Sequence, residues 1–250
     1  MSERPLARID GPAPEIVFLH EGLGAATMWR GFPDALCAAL GQGGILPDRR
    51  GHGTAPPFDD PVRGGHRLDY HEREAEALIA LLERERIVRP ILFGHSDGGT
   101  IALLAAALAP DRIAGCVTEA AHVFVEEVTL AGIRDAVTAY EAPDSRLKAA
   151  LLRHHGAERA DKVFYRWADA WLSPPFAAWN MEHRLPEVRC PVLAIQGLDD
   201  EYGTPAQVRA IVDQVAGRSE PLLIENSGHA PHLDSQDAVI DAVRTFAAAL

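Results

Sequence analysis

The sequence predicts an α/β protein built on a mostly parallel, doubly wound sheet. Two observations carry that reading. Short apolar runs, continuous rather than alternating, recur along the chain with helical patterns between them, as strands buried on both faces require. One such run, Ile91–Phe93, stops at Gly94-His95-Ser96-Asp97-Gly98, and an alanine- and leucine-rich stretch follows. That G-x-S-x-G pattern reads as a strand, a sharp turn and a helix, with Ser96 at the apex and small residues permitting a strained backbone.

The expected strands are Glu15–Leu19, Gly44–Leu46, Ile91–Phe93, Ile113–Val117, Val192–Ile195 and Pro221–Ile224. Between them, Asp69–Arg86 sets Ala75, Leu78, Ile79 and Leu82 on one stripe, with Glu and Arg on the other face. Thr100–Leu108 is apolar nearly all round and suits a helix buried against the sheet. Thr204–Val215 and Gln236–Leu250 complete the helical set. From His122 to Arg189 the rhythm breaks: no strand is apparent, and helical patterns are interrupted at Pro143, Gly156 and Pro174–Pro175. Trp167, Trp171 and Trp179 fall here, so this segment reads as an aromatic-rich helical lid over the end of the sheet, or as an insertion whose aromatics merely glue it to the core.

Bulk properties narrow the functional classes. A formal charge of −12, from 24 basic and 36 acidic residues, disfavours nucleic-acid and membrane-surface partners. Cys37, Cys116 and Cys190 are odd in number and far apart, fitting neither a disulfide framework nor a C-x-x-C metal site. The N-terminus lacks an apolar signal core, and the longest apolar run, Ile101–Ala109, is about half of what spans a bilayer. The expectation is a cytoplasmic protein with a small-molecule substrate and no cofactor; monomer and homodimer are both open.

A serine needs a base and an orienting acid to become a nucleophile. His229, in Asn226-Ser227-Gly228-His229, follows the last expected strand on a loop, where open α/β sheets place working groups. His232 is its local competitor, and the preceding Gly228 favours His229 because it gives the loop freedom to present the ring. For the acid, Asp199, Asp200 and Glu201 follow the Val192–Ile195 strand, and Glu119 near the end of Ile113–Val117 is the alternative. The order Ser, Asp, His along the chain is one of the recurring triad orders. No H-E-x-x-H motif and no phosphate-binding G-x-x-x-x-G-K motif is present, so no metal site is expected.

Taken together the motifs resemble those of the α/β-hydrolase fold superfamily, over nearly the whole chain. The family's H-G-x segment is matched by Leu19-His20-Glu21-Gly22-Leu23-Gly24, and its D-x-R-G-x-G turn by Asp48, Arg50, Gly51 and Gly53. Gly94, Ser96 and Gly98 match the nucleophile elbow, Gly197 and Asp200 the G-x-x-D element, and Gly228 and His229 the G-H element. The resemblance implies Ser96, Asp200 and His229 as the triad, choosing Asp200 over Asp199. It also implies an oxyanion hole from the backbone N–H groups of Gly22 and Asp97. Two departures stand out: Glu21 replaces the usual glycine, and too few residues precede Glu15 for two full opening strands. A shortened sheet edge at Leu6–Ile9 is therefore expected.

The implied organisation is a hydrolase core of residues 1–121 and 186–250 with a helical cap at 122–185. Glu21, His95, Trp167, Trp171 and Trp179 are the candidate substrate contacts. The expected activity is hydrolysis of a small to medium, largely apolar carboxylester, lactone or thioester through an acyl-enzyme. A carbon–carbon bond hydrolase of ring-fission products and a mainly ligand-binding protein of the same fold are the rival readings.

Overall fold

Four buried strands form the centre of the structure: β2 (Ile16–Leu19), β4 (Ile91–His95), β5 (Gly115–Glu119) and β6 (Val192–Gly197), every residue of which is buried. The computed structural model describes residues 6–13, 15–59, 61–64 and 67–250. Adding β1 (Ala7–Ile9), β3 (Gly44–Leu46) and β7 (Ser219–Ile224) gives a seven-stranded sheet of order β1-β3-β2-β4-β5-β6-β7. Only β1 runs antiparallel, and its three residues are the shortened edge. At the other edge β7 alternates between partly buried and exposed positions, unlike the continuous burial expected. An edge strand has one unpaired side, which also explains why Pro221 is tolerated there.

The expected strand Ile113–Val117 lies two residues later, at Gly115–Glu119. Ile113 is buried in the core but lies ahead of the strand, while Thr118 and Glu119 carry the strand onward. Register sets Leu19 beside Gly94, His95 beside Glu119 and Glu119 beside Ile195. The carboxyl ends of the parallel strands thus share one edge, where ligands of open α/β sheets bind.

Helices cover both faces. α2 (Tyr70–Arg84), α3 (Asp97–Leu108) and α7 (Pro205–Gln214) pack on one side, with α3 buried from Asp97 to Ala107. α1 (Phe32–Leu40) and α9 (Gln236–Ala247) pack on the other. α1 was not among the expected helices. It is bracketed by Gly31 and Gly41, both at positive φ, with Pro33 in its first turn, a start-and-stop grammar that the sequence does display.

Between β5 and β6 the chain builds α4 (Glu127–Glu141), α5 (Arg146–His155) and α6 (Ala160–Trp171), then two 3-10 turns at Pro174–Ala178 and Glu182–Glu187. This insertion has its own apolar cluster, in which Tyr140 stacks on Phe164 with ring centroids 3.7 Å apart. Its two stems are clasped by a bridge between Phe124 and Asn180. Met181 and Leu185 pack with the sheet core. The short helix α8 (Pro231–Asp234) follows the loop after β7. Among the described residues no helix is long and apolar enough to cross a membrane.

Candidate active site

Ser96 sits between the last residue of β4 and the first of α3, at φ 52° and ψ −119°. A non-glycine residue held there is strained, and the surrounding backbone must enforce it. Its enforcement is visible. The Ser96 N–H donates to the Glu119 carbonyl at 2.8 Å, and the Ser96 carbonyl accepts from Gly99 and Thr100. A Cβ added to Gly94 would come 2.2 Å from the Gly98 carbonyl oxygen, and one on Gly98 would come 1.9 Å from that of Leu19. Neither position admits a side chain.

His229 lies on the loop after β7, and its Nδ1 is 2.8 and 3.0 Å from the two carboxylate oxygens of Asp200. Asp200 also accepts the Tyr202 backbone N–H at 2.8 Å and the Gln196 side-chain amide. Burial alone would raise the Asp200 pKa, but the hydrogen bond and charge of His229 and the Tyr202 N–H hold it below the usual carboxylate value. With Nδ1 committed to the acid, His229 keeps Nε2 for other work. Ser96 and His229 line the same cavity, of about 140 Å³. Asp199, the rejected neighbour, is exposed and meets Ser227 only through its backbone. Glu119 pairs not with His229 but with His232, through both the ring at 2.7 Å and the backbone N–H at 2.5 Å.

The loop His20–Gly24 approaches the elbow from β2. Arg49 donates to the Glu21 carbonyl at 2.6 Å, and His52 Nε2 is 3.1 Å from that of Gly22. His20 accepts the Arg49 N–H on Nε2 and donates from Nδ1 to the Glu21 carbonyl. Burial and the Arg49 charge keep His20 neutral, and burial first, then Arg49, brings His52 down to about 3. Gly22 is itself a close approach: an added Cβ would lie 2.4 Å from Trp167 and 3.1 Å from Asp97 Oδ2. The two backbone donors expected of an oxyanion hole therefore belong to adjoining segments. Asp48, from the D-x-R-G-x-G turn, anchors this region by accepting from the backbone of Ala26 and Thr54.

The Asp97 side chain is a hub that the sequence did not reveal. Tyr70 donates to it at 3.0 Å, His71 Nε2 is 3.2 Å away and Arg49 3.9 Å, and Trp171 in turn donates to the Tyr70 hydroxyl. Burial opposes its ionisation, but His71 and Arg49 hold its pKa well below normal. These partners come from three separate segments, and no local spacing announces them.

Of the candidate substrate contacts, Glu21, Trp167 and Trp171 line the cavity, together with Leu23, Met28, Ile133 and Leu151. His95 and Trp179 do not, and those two expectations are corrected. His95 is buried beside the His229 loop, where Nε2 donates to the His229 carbonyl at 2.7 Å. Trp179 stacks on Phe176 and packs against Trp171, so its ring serves the base of the insertion. Glu21 faces His95 Nδ1 at 3.8 Å. Burial would raise its pKa, yet the neighbouring His95 brings it to about 2.

His95, Glu119 and His232 offer ligand atoms within 4.8 Å of one another, and all three are buried. Their contacts are already those of an internal clamp, since His232 is bound to Glu119 and His95 to the His229 carbonyl. Burial lowers the His232 pKa, but the Glu119 carboxylate more than reverses this, so His232 is held protonated more firmly than a free imidazole.

A serine on a strained strand-to-helix elbow, with a histidine–aspartate pair whose histidine lines the same cavity at the carboxyl edge of a parallel sheet, defines the class of the α/β hydrolases. The alpha/beta hydrolase family model matches residues 16–242, and the chain belongs to that family and is a hydrolase. It is 30% identical over 205 residues to serine hydrolase BPHL of Mus musculus, covering 80% of this chain and 67% of that one. It is 27% identical over 216 residues to esterase YbfF of Escherichia coli (strain K12), 81% of each. Among solved structures, an esterase from Thermogutta terrifontis superposes with a TM-score of 0.73 at 18% identity, covering 97% of this chain and 92% of that one. The enol-lactonase from Burkholderia xenovorans LB400 gives 0.71 at 22% identity over 97% and 96%. At those identities the structures show a shared fold.

Proposed function

We infer that the chain is a serine esterase in which Ser96, His229 and Asp200 act as a triad on a small to medium, largely apolar carboxylester. One observation carries the reading: His229 is fixed by Asp200 through Nδ1 while its ring and Ser96 share one apolar-walled cavity. Serine hydrolases and esterases among the sequence relatives support the same reaction class.

In this mechanism the Ser96 hydroxyl attacks the ester carbonyl as His229 Nε2 takes its proton. Asp200 fixes the tautomer and stabilises the imidazolium. The N–H groups of Gly22 and Asp97 receive the developing oxyanion, each such donor supplying about 3–4 kcal/mol. Collapse expels the alcohol, which takes the proton from His229. Water, activated by the same histidine, then releases the acid from Ser96. The insertion formed by α4, α5 and α6 acts as the lid, contributing Trp167 and Trp171 to the walls.

The test is Ser96→Ala, with a pH-stat assay on simple alkyl esters and fluorophosphonate labelling in parallel. Hydrolysis should fall to background and labelling should vanish. Wild-type rates in the variant would sink the proposal. A wild-type enzyme that ignores esters but cleaves vinylogous diketones would move it to the carbon–carbon bond hydrolases.

A further inference from the structure

Helix α4 meets empty space on two faces. Thr129 and Ile133 close the cavity beside Ser96, whereas Ala131, Gly132, Asp135 and Ala139 line an open groove of about 510 Å³ on the outer side. The two spaces share walls. Tyr202 and Leu147 line both, so two side chains form the partition between the catalytic cavity and the groove.

Tyr202 is built for that position. Its carbonyl accepts from the Thr129 hydroxyl at 2.6 Å and from His122 Nε2 at 3.0 Å, and its N–H donates to Asp200. The backbone is thus held from three sides. The ring leans on the His229 imidazole, with centroids 4.7 Å apart, and is only partly buried. A rotation about χ1 moves such a ring between staggered wells without disturbing the main chain. Gly132 makes room for it, because a Cβ there would come 2.9 Å from the Tyr202 ring. Where the loop of Asp200 meets α4, therefore, the contact is a partly buried side chain on a fixed backbone.

The sizes divide the substrate. A cavity of about 140 Å³ accommodates one small half of an ester, while the groove beside it is more than three times larger. We propose that this groove is a second substrate subsite, holding the longer uncharged aliphatic half of a carboxylester while the shorter half occupies the cavity, with Tyr202 and Leu147 as the gate between them. The lining is mostly small and apolar, and the carboxylates of Asp135 and Glu201 in it disfavour chains ending in an anion. The inference rests on Ser96 being the nucleophile, as proposed above.

The test fills the groove without touching the cavity. Ala131 and Ala139 are exposed on α4 and line only the groove. Ala131→Trp and Ala139→Trp are assayed separately by pH-stat on ethyl acetate, methyl octanoate and octyl acetate. Ethyl acetate kcat/KM should stay within about twofold of wild type, which also reports correct folding, so either variant suffices if the other misfolds. At least one octyl-length ester should lose about tenfold, mainly in KM. Tyr202→Ala should raise the long-to-short ratio about threefold or more. Equal treatment of short and long esters by the filled variants, or a wild-type enzyme inactive on both long esters, overturns the subsite. Absence of Ser96-dependent turnover of ethyl acetate overturns the esterase reading instead.

Discussion

His229 and His232 stand three residues apart, and each is bound through Nδ1 to a buried carboxylate, at 2.8 Å from Asp200 and 2.7 Å from Glu119. What separates them is what lies on the far side of the ring. The His229 side chain is 15% exposed and faces the cavity with Ser96, whereas that of His232 is 4% exposed and wedged against the rings of Trp29 and Phe32. Glu119 spends both oxygens on one residue, clamping ring and backbone of His232 together. On the proposed mechanism the same chemical couple is a working pair where one edge of the imidazole opens on the cavity, and a structural clamp where aromatic rings close it. His95 joins the two, donating to the His229 carbonyl with its ring 5.0 Å from that of His232.

The largest expected effect breaks the working pair. Asp200→Asn should lower kcat by about 10³–10⁴-fold while leaving the urea midpoint close to wild type, because the tautomer is lost but the packing is kept. The clamp should answer in the opposite way. Glu119→Gln removes the carboxylate that holds both the ring and the backbone N–H of His232 and should cost about 1–3 kcal/mol in urea unfolding, with kcat of the folded protein within severalfold. If Glu119→Gln abolished turnover while Asp200→Asn merely destabilised, the two roles would have to be exchanged.

Acid acts on several groups at once. His20, His52 and His122 are held neutral, chiefly by burial, with His52 down at about 3. Below pH ~6.5 the unfolded chain binds protons that the folded chain refuses, so stability falls, by about 1.4 kcal/mol per pH unit for each such group. Glu21 and Glu119, with lowered values, contribute stability above pH ~4.5 that is lost as pH falls further. His232 has the reverse sign: its contribution is full below pH ~6.5 and is lost as pH rises through its raised value. Urea midpoints should therefore decline from pH ~6.5 toward 4.5, and a rise over that window would contradict the neutral histidines. The smallest effect belongs to Asp199→Asn. Its side chain is exposed, and activity should stay within about twofold.

The elbow and the order of the site residues were legible because each depends on local chain: two glycines around a serine, an acid after one strand, a Gly-His after another. The choice of His229 over His232 rested on Gly228, but the physical separator is the aromatic wall of Trp29 and Phe32, which comes from far along the chain. For the same reason the Tyr70, His71 and Arg49 cradle of Asp97 was invisible. The shift of β5 has a different origin. Apolarity marks strands, yet Thr118 and Glu119 are polar and still buried, because the carboxyl end of the sheet is where polar groups are recruited. Aromatic content pointed to the insertion as a wall, though Trp167 and Trp171 serve it and Trp179 does not. Helical spacing cannot tell which side of an insertion a ring will face.

The contacts at Gly94 and Gly98 have one more implication. Carbonyl oxygens of Leu19 and Gly98 stand where those two residues would carry side chains, so β2, β4 and α3 touch main chain to main chain. Peptide groups cannot be exchanged by substitution, so the spacing between Ser96 and the His20–Gly24 loop is independent of what decorates the surroundings. The reactive geometry behaves as a casting and the insertion as its interchangeable tooling. Walls such as Ile133, Leu151 or Trp167 can be recut while the spacing around Ser96 stays where the backbone set it.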